Sequence, residues 1–177
     1  MTPKRPEDKP LPANVDAEKV ILGAILMDSA YYRKVVGKLE PQDFSLDSHR
    51  IIFNAMQELD ENGSGIDLVL LVEHLTATKI LSKIGNLPVA YLASLTEGLP
   101  WHPSIKDYLR IVREKRKLRA IIQLCSDASS AAWEQQELAA EIAERLYMGL
   151  EELGYGEKCN ITPNGNTELG SFTGRGA

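Results

Sequence analysis

The sequence predicts an all-α fold, a helical head followed by an antiparallel helical hairpin. Three observations carry this. Nowhere in the 177 residues does strict period-two alternation persist with β-branched residues. Apolar residues return instead at steps of three and four in one segment after another. From Ser104 to Leu153, two long helical patterns of opposite charge follow one another across a short break.

Residues 1–12 hold four prolines and five charges and are expected to form a disordered arm. The head is expected over 13–100, the hairpin over 101–153, and a flexible tail or linker, rich in Gly, Asn and Thr, over 154–177. Asn14 is a fair N-cap for a first helix with a stripe of Ile21, Leu22 and Ile25. Gly23 inside that helix costs about 1 kcal/mol relative to Ala unless a neighbour needs the close approach. Ser29 to Val36 reads as a short second helix burying Tyr31, Val35 and Val36, and Pro41-Gln42-Asp43-Phe44 as a turn with one aromatic anchor. Asp47 or Ser48 caps the next helix, where Ile52, Phe53, Met56 and Leu59 repeat at helical spacing before Asn62-Gly63-Ser64-Gly65 ends it. Asp67 caps a fourth helix with Leu68, Leu71, Val72 and Leu75 inward. Gly85-Asn86 makes a turn, and Pro88 opens a short helix carrying Val89, Tyr91, Leu92 and Leu95.

The hairpin begins at Ser104, an N-cap with Asp107 three residues on. Tyr108, Ile111, Leu118, Ile122 and Cys125 then recur with the 3.5-residue period of a seam, over a helix about 39 Å long if it runs to about Ser129. The break is expected at Ser129 to Trp133, after which Leu138, Ile142, Leu146, Leu150 and Leu153 form the answering stripe. Seven cations against two carboxylates make Ser104–Arg119 basic, and six carboxylates against Arg145 make Glu134–Glu152 acidic. Exposed ion pairs are worth only about 0.2–1 kcal/mol each, so this pattern selects a partner arm more than it stabilises one. The other use of such a cluster is nucleic-acid contact through Arg110, Arg113, Arg116 and Lys117.

Composition excludes several classes. A hydrophobic content of 44% builds a core without disulfides or metals, and a net charge of −5 argues against general polyanion binding. Cys125 and Cys159 make neither a disulfide framework nor metal-ligand spacing, and no metal or cofactor is expected. With no apolar signal region and no run long enough to span a bilayer, a soluble cytoplasmic protein that avoids membranes is expected. Gly63-Ser64-Gly65 lacks the Lys and Ser/Thr of a phosphate-binding loop. His49, His74 and His102 lie in separate segments and read as capping, packing or surface residues. Trp101 reads as core, whereas Trp133, near the hairpin tip, has less core available and reads as a partner anchor.

A succession of short motifs then becomes specific: Pro12-Ala13-Asn14, Ala17-Glu18, Leu22 to Leu26, Pro41 with Asp43-Phe44, His49-Arg50 with Ile52-Phe53, Gly63 with Ile66-Asp67-Leu68, Gly85 with Tyr91-Leu92, and Tyr108 with Ile111 to Lys115 and Arg119. In order and spacing, from about residue 12 to 153, it resembles the N-terminal domain of DnaB-type replicative DNA helicases. The resemblance implies a six-helix globular head plus the hairpin, self-association of hairpins into dimers, a trimer-of-dimers collar, and docking of a DnaG-type primase. A helicase loader is a further partner it implies, with DNA engaged only indirectly. The family's ATP- and Mg-dependent motor is a separate RecA-like domain, so this chain is expected to be a non-enzymatic interaction module. The alternative is a freestanding regulatory or single-stranded-DNA-binding protein that keeps the collar fold. Asn86 in place of the second glycine of the usual pair, and a short second arm with a small inter-helix loop, depart from the family pattern.

Overall fold

Seven α-helices and three short 3-10 turns form the regular structure of residues 9–100 and 103–155, which the computed structural model describes. No strand occurs among them. Residues 1–8, Trp101, His102 and residues 156–177, and with them most of the expected arm and tail and Cys159, lie outside the described residues. The chain divides into two compact units at Ala120/Ile121, within a helix.

In the first unit, α1 (Val15–Met27) is the most extensively buried helix. Ala17, Glu18 and every residue from Ile21 to Leu26 are buried, wider than the expected stripe, as for a helix packed on several sides. Asn14 caps it, Oδ1 accepting from Ala17 N–H at 3.0 Å. Gly23 meets the end of α5 (Pro88–Ser94): a Cβ there would stand 1.9 Å from the Leu95 carbonyl oxygen. The close approach that justifies a mid-helix glycine is therefore present.

A 3-10 turn, Ser29–Tyr31, precedes α2 (Tyr32–Val35). The tighter start shifts the helical phase. Tyr32 and Val35 are consequently the buried pair, while Tyr31 is half-buried and Val36 exposed, correcting the expected face. Phe44 is fully buried, after a second 3-10 turn at Pro41–Asp43. Contrary to expectation, α3 (Asp47–Glu61) has no side-chain cap. Asp47 instead pairs with Arg50, whose Nε–H donates to the Phe44 carbonyl at 2.9 Å. Ile52, Phe53, Met56 and Leu59 are buried as their spacing predicts. Asp67 caps α4 (Leu68–Ala77) through Leu70 N–H at 2.9 Å, with Leu71 and Leu75 inward. The 3-10 turn Leu81–Ile84, too short to show a period, adds Ile84 to the core, and α5 adds Leu92, followed by Leu95. The sixth helix of this unit is the first half of α6 (Ile105–Glu134), which buries Ile105, Leu109, Val112 and Arg119. Ser104 donates its hydroxyl to Asp107 Oδ2 at 2.7 Å at the start of α6.

The second unit contains residues 121–134 of α6 and α7 (Ala139–Glu152), joined by residues 135–138. The expected break at Ser129–Trp133 is helix instead. Alanine is the strongest helix former and serine is tolerated within a helix, so the turn waits for Gln135, with φ of 54°. A Cβ on Gly149 would stand 2.5 Å from Leu124 Cδ2. Leu124 lies as far before the end of α6 as Gly149 lies after the start of α7, the register of an antiparallel hairpin. No described helix is long and apolar enough to cross a membrane.

Candidate functional site

In the second unit, Ile121, Leu124, Ala128 and Ala131 of α6 are half-buried, at steps of three, four and three. Ile142, Leu146, Leu150 and Leu153 answer them from the other arm. The inner seam on α6 is thus offset by one residue from the one the sequence suggested. Ile122 is 45% exposed and Cys125 is exposed, so neither is an internal seam residue. The cause is composition: Ala128 and Ala131 permit close helix approach but carry almost no apolar signal, so the larger Ile122 drew the stripe toward itself. Leu138 is 70% exposed and is the N-cap of α7, its N–H bonded to Glu141 Oε2 at 3.0 Å. Trp133 falls in the last turn of α6, 82% exposed, and Met148 is exposed on α7. The hairpin therefore keeps aliphatic side chains inside while leaving Ile122, Trp133, Leu138 and Met148 to solvent.

In the first unit the offset is also one residue but in the opposite direction, each buried position following the expected one. Tyr108 and Ile111 pack half-buried against the core, Leu118 is largely outward, and the buried line is Ile105, Leu109, Val112 and Arg119. A charged residue in that line conceals it from hydropathy. Arg119 donates to the Pro12 carbonyl at 3.0 Å and the Asp43 carbonyl at 2.5 Å, joining the chain start to the turn before Phe44. Of the four basic residues singled out, Arg110, Arg113 and Lys117 line a groove of about 800 Å³, while Arg116, half-buried, does not. Lys106 on α6 and Lys34 and Lys38, on and just after α2, complete its cationic lining, with Glu114 its one carboxylate.

A buried polar chain in the head was not legible in the sequence. Glu18, 1% exposed, accepts from Ser45 N–H at 2.8 Å and lies 2.7 Å from His49 Nδ1; His49 Nε2 lies 2.7 Å from the Tyr91 hydroxyl. An ionised carboxylate can only accept, which assigns the proton to Nδ1 and, for a neutral ring, leaves Nε2 to accept from Tyr91. Burial pushes the Glu18 carboxyl up, but hydrogen bonds from His49 and Ser45 and the proximity of His49 outweigh it and hold the pKa below its usual 4.5. Burial raises the Tyr91 phenol above 10. His49 is thus a packing histidine, stacked on Tyr91 with ring centroids 6.1 Å apart, and His74 bonds Glu58 at 2.7 Å. Spacing could not find this set, since its members come from three helices. Among the described residues no group of three His, Cys, Asp or Glu could hold a metal ion.

With this geometry in hand, comparisons with known proteins agree with one another. The family profile for the DnaB-like helicase N terminal domain matches residues 10–114. The replicative DNA helicase DnaB of Geobacillus stearothermophilus is 32% identical over 126 residues, 71% of this chain and 27% of that protein. The replicative DNA helicase DnaC of Bacillus subtilis is 29% identical over 194 residues, 94% of this chain and 42% of that protein. The chain therefore spans less than half the length of these relatives. Among solved structures, the N-terminal domain of DnaB helicase from Mycobacterium tuberculosis superposes with a TM-score of 0.73 at 24% identity, covering 81% of this chain and 99% of that one. A DnaB-like replicative helicase, solved with a description of its interactions with primase, gives 0.63 at 22% identity, covering 81% of this chain and 31% of that one.

Proposed function

Since the chain belongs to the family of DnaB-like helicase N-terminal domains, we propose that it is the collar module of a replicative helicase, pairing with its own copies and offering the assembled collar to primase. In that reading these residues serve DNA replication as an assembly part. The single observation that carries the pairing is the outward apolar set on the hairpin, with Trp133 at 82% and Leu138 at 70% exposure beside Ile122 and Met148. Large apolar side chains left to water on a two-helix unit are the material of an interface, and an exposed tryptophan is the commonest kind of anchor. Two copies of one hairpin would pair isologously, so each residue is used twice. Primase as partner rests on the relative whose solved structure describes that interaction.

Light scattering on wild type and on Ile122→Asp tests the pairing. The wild type is expected to dimerise at micromolar concentration and the variant to remain a monomer with an unchanged melting temperature, because Ile122 lies outside the inner seam. A wild type that stays monomeric at high micromolar concentration refutes the pairing. Calorimetry with the C-terminal domain of the matching primase tests the docking, and absence of binding to an assembled collar refutes that part alone.

A further inference from the structure

The groove in the first unit is not needed for hairpin pairing. The whole molecule carries a net charge of −5, yet six of its 20 Lys and Arg side chains line this one concavity, with Glu114 alone against them. Gathering like charges is unfavourable until an anion joins them, and a concave low-dielectric wall strengthens the field that would draw one in. On α6 the cations Lys106, Arg110, Arg113 and Lys117 recur at four, three and four residues, a line on one helix face about 16 Å long at 1.5 Å per residue. The α2 side is arranged as well: Lys38 Nζ donates to the Lys34 carbonyl at 2.9 Å, and Lys34 Nζ stands 4.4 Å from the centre of the Tyr31 ring. Among the described residues Arg110 makes a long 3.8 Å ion pair to exposed Asp107, which yields readily to a stronger anion. Half-buried Tyr31, with Lys34 over one face, gives the same lining an aromatic ring, and Ile105 and Leu109 form its nearly covered apolar floor.

A line of positive charge beside apolar and aromatic surface suits a ligand with anions along one edge and flat apolar faces along the other. That describes a single nucleic-acid strand, whose phosphates track the cations while its bases rest on the lining. An acidic peptide offers the charges without the flat faces. We propose that this groove binds single-stranded nucleic acid through its phosphodiester backbone. The proposal goes beyond the collar reading, in which DNA is engaged only indirectly, and stands or falls independently of hairpin pairing.

Fluorescence anisotropy of a labelled oligothymidylate, titrated with the 177-residue chain over a range of salt concentrations, is the test. With Lys34, Lys38, Lys106, Arg110 and Arg113 each neutralising a phosphate, log K should fall against log salt with a slope of about −3.5, from roughly −0.7 per contact. Lys106→Ala with Arg113→Ala should flatten the slope by about 1.4 and weaken low-salt binding at least about tenfold. Lys34→Ala with Lys38→Ala should repeat the effect from the α2 side, which keeps the test decisive should the first pair fail to fold. Lys83→Ala with Lys79→Asn, two cations absent from the groove lining, should change nothing. No binding at low salt, wild-type binding by the folded groove variants, or displacement by polyglutamate at the same charge concentration as by unlabelled oligothymidylate would each overturn the proposal.

Discussion

Replacing Gly23 by alanine sets two well-measured effects against each other. In an isolated helix the change stabilises by about 1 kcal/mol, because glycine gives up more backbone freedom on folding than alanine does. In this head the new methyl would arrive 1.9 Å from the Leu95 carbonyl oxygen, 2.8 Å from its carbon and 2.8 Å from Leu99 Cδ1. Ordinary contact begins near 3.4 Å, so the end of α5 must retreat by about 1.5 Å, drawing Leu92 and Leu95 from the core they fill. The obstacle is backbone and cannot step aside by changing rotamer. Overpacking of this kind costs about 1–3 kcal/mol, and the rigid contact places it toward the upper end, leaving a net loss of about 1–2 kcal/mol. At about 2–8 °C per kcal/mol, the range for domains between about 60 and 250 residues, calorimetry should show the melting temperature falling by roughly 2–15 °C. Gly149→Ala is the matched control. Its methyl meets only the tip of Leu124, which can turn away, so its effect should stay within about 1 kcal/mol. A Gly23→Ala protein as stable as wild type would refute the argument that the α1–α5 approach dictates this glycine.

Two further predictions concern buried polar groups. The Glu18 carboxylate has a folded pKa below its unfolded value of 4.5, so its stabilisation is complete above pH 4.5 and is lost as pH falls through the lower folded pKa. Thermal melts from pH 7 to pH 3 should therefore show Glu18→Gln already destabilised at pH 7 by about 3–5 kcal/mol, with a shallower acid limb than wild type, and parallel acid limbs would contradict the assignment. Arg119→Met keeps much of the volume but abandons two backbone carbonyls, and should cost about 2–4 kcal/mol by urea denaturation, with a loss below 1 kcal/mol counting against the two hydrogen bonds as a structural tie.

What the sequence disclosed and what it hid follow from the range of the interactions involved. Asn14 and Asp67 cap helices three residues away, and short-range chemistry of that kind is written in adjacent letters. Ile52, Phe53, Met56 and Leu59 share one face of one helix, so their spacing suffices. The hairpin seam misled because two of its inner positions are alanines and the buried line before it ends on an arginine, whereas Leu118 and Ile122 look more apolar and lie further out. The cationic groove was half visible: Arg110, Arg113 and Lys117 are periodic on one helix, but Lys34 and Lys38 are brought to them only by the fold. Glu18, His49 and Tyr91 were unreadable as a set, since 31 and 42 residues separate their bonded pairs.

That buried chain of three also constrains how the domain can drift. Donors and acceptors alternate along it, with Glu18 and His49 fully buried and Tyr91 half-buried at its outer end, so a mutation at Glu18 or His49 strands the group beside it. An apolar replacement of all three could fold, but each route to it by single steps passes through a head with an orphaned polar group in its core. Replacing the trio together is therefore expected to cost less stability than editing one member alone.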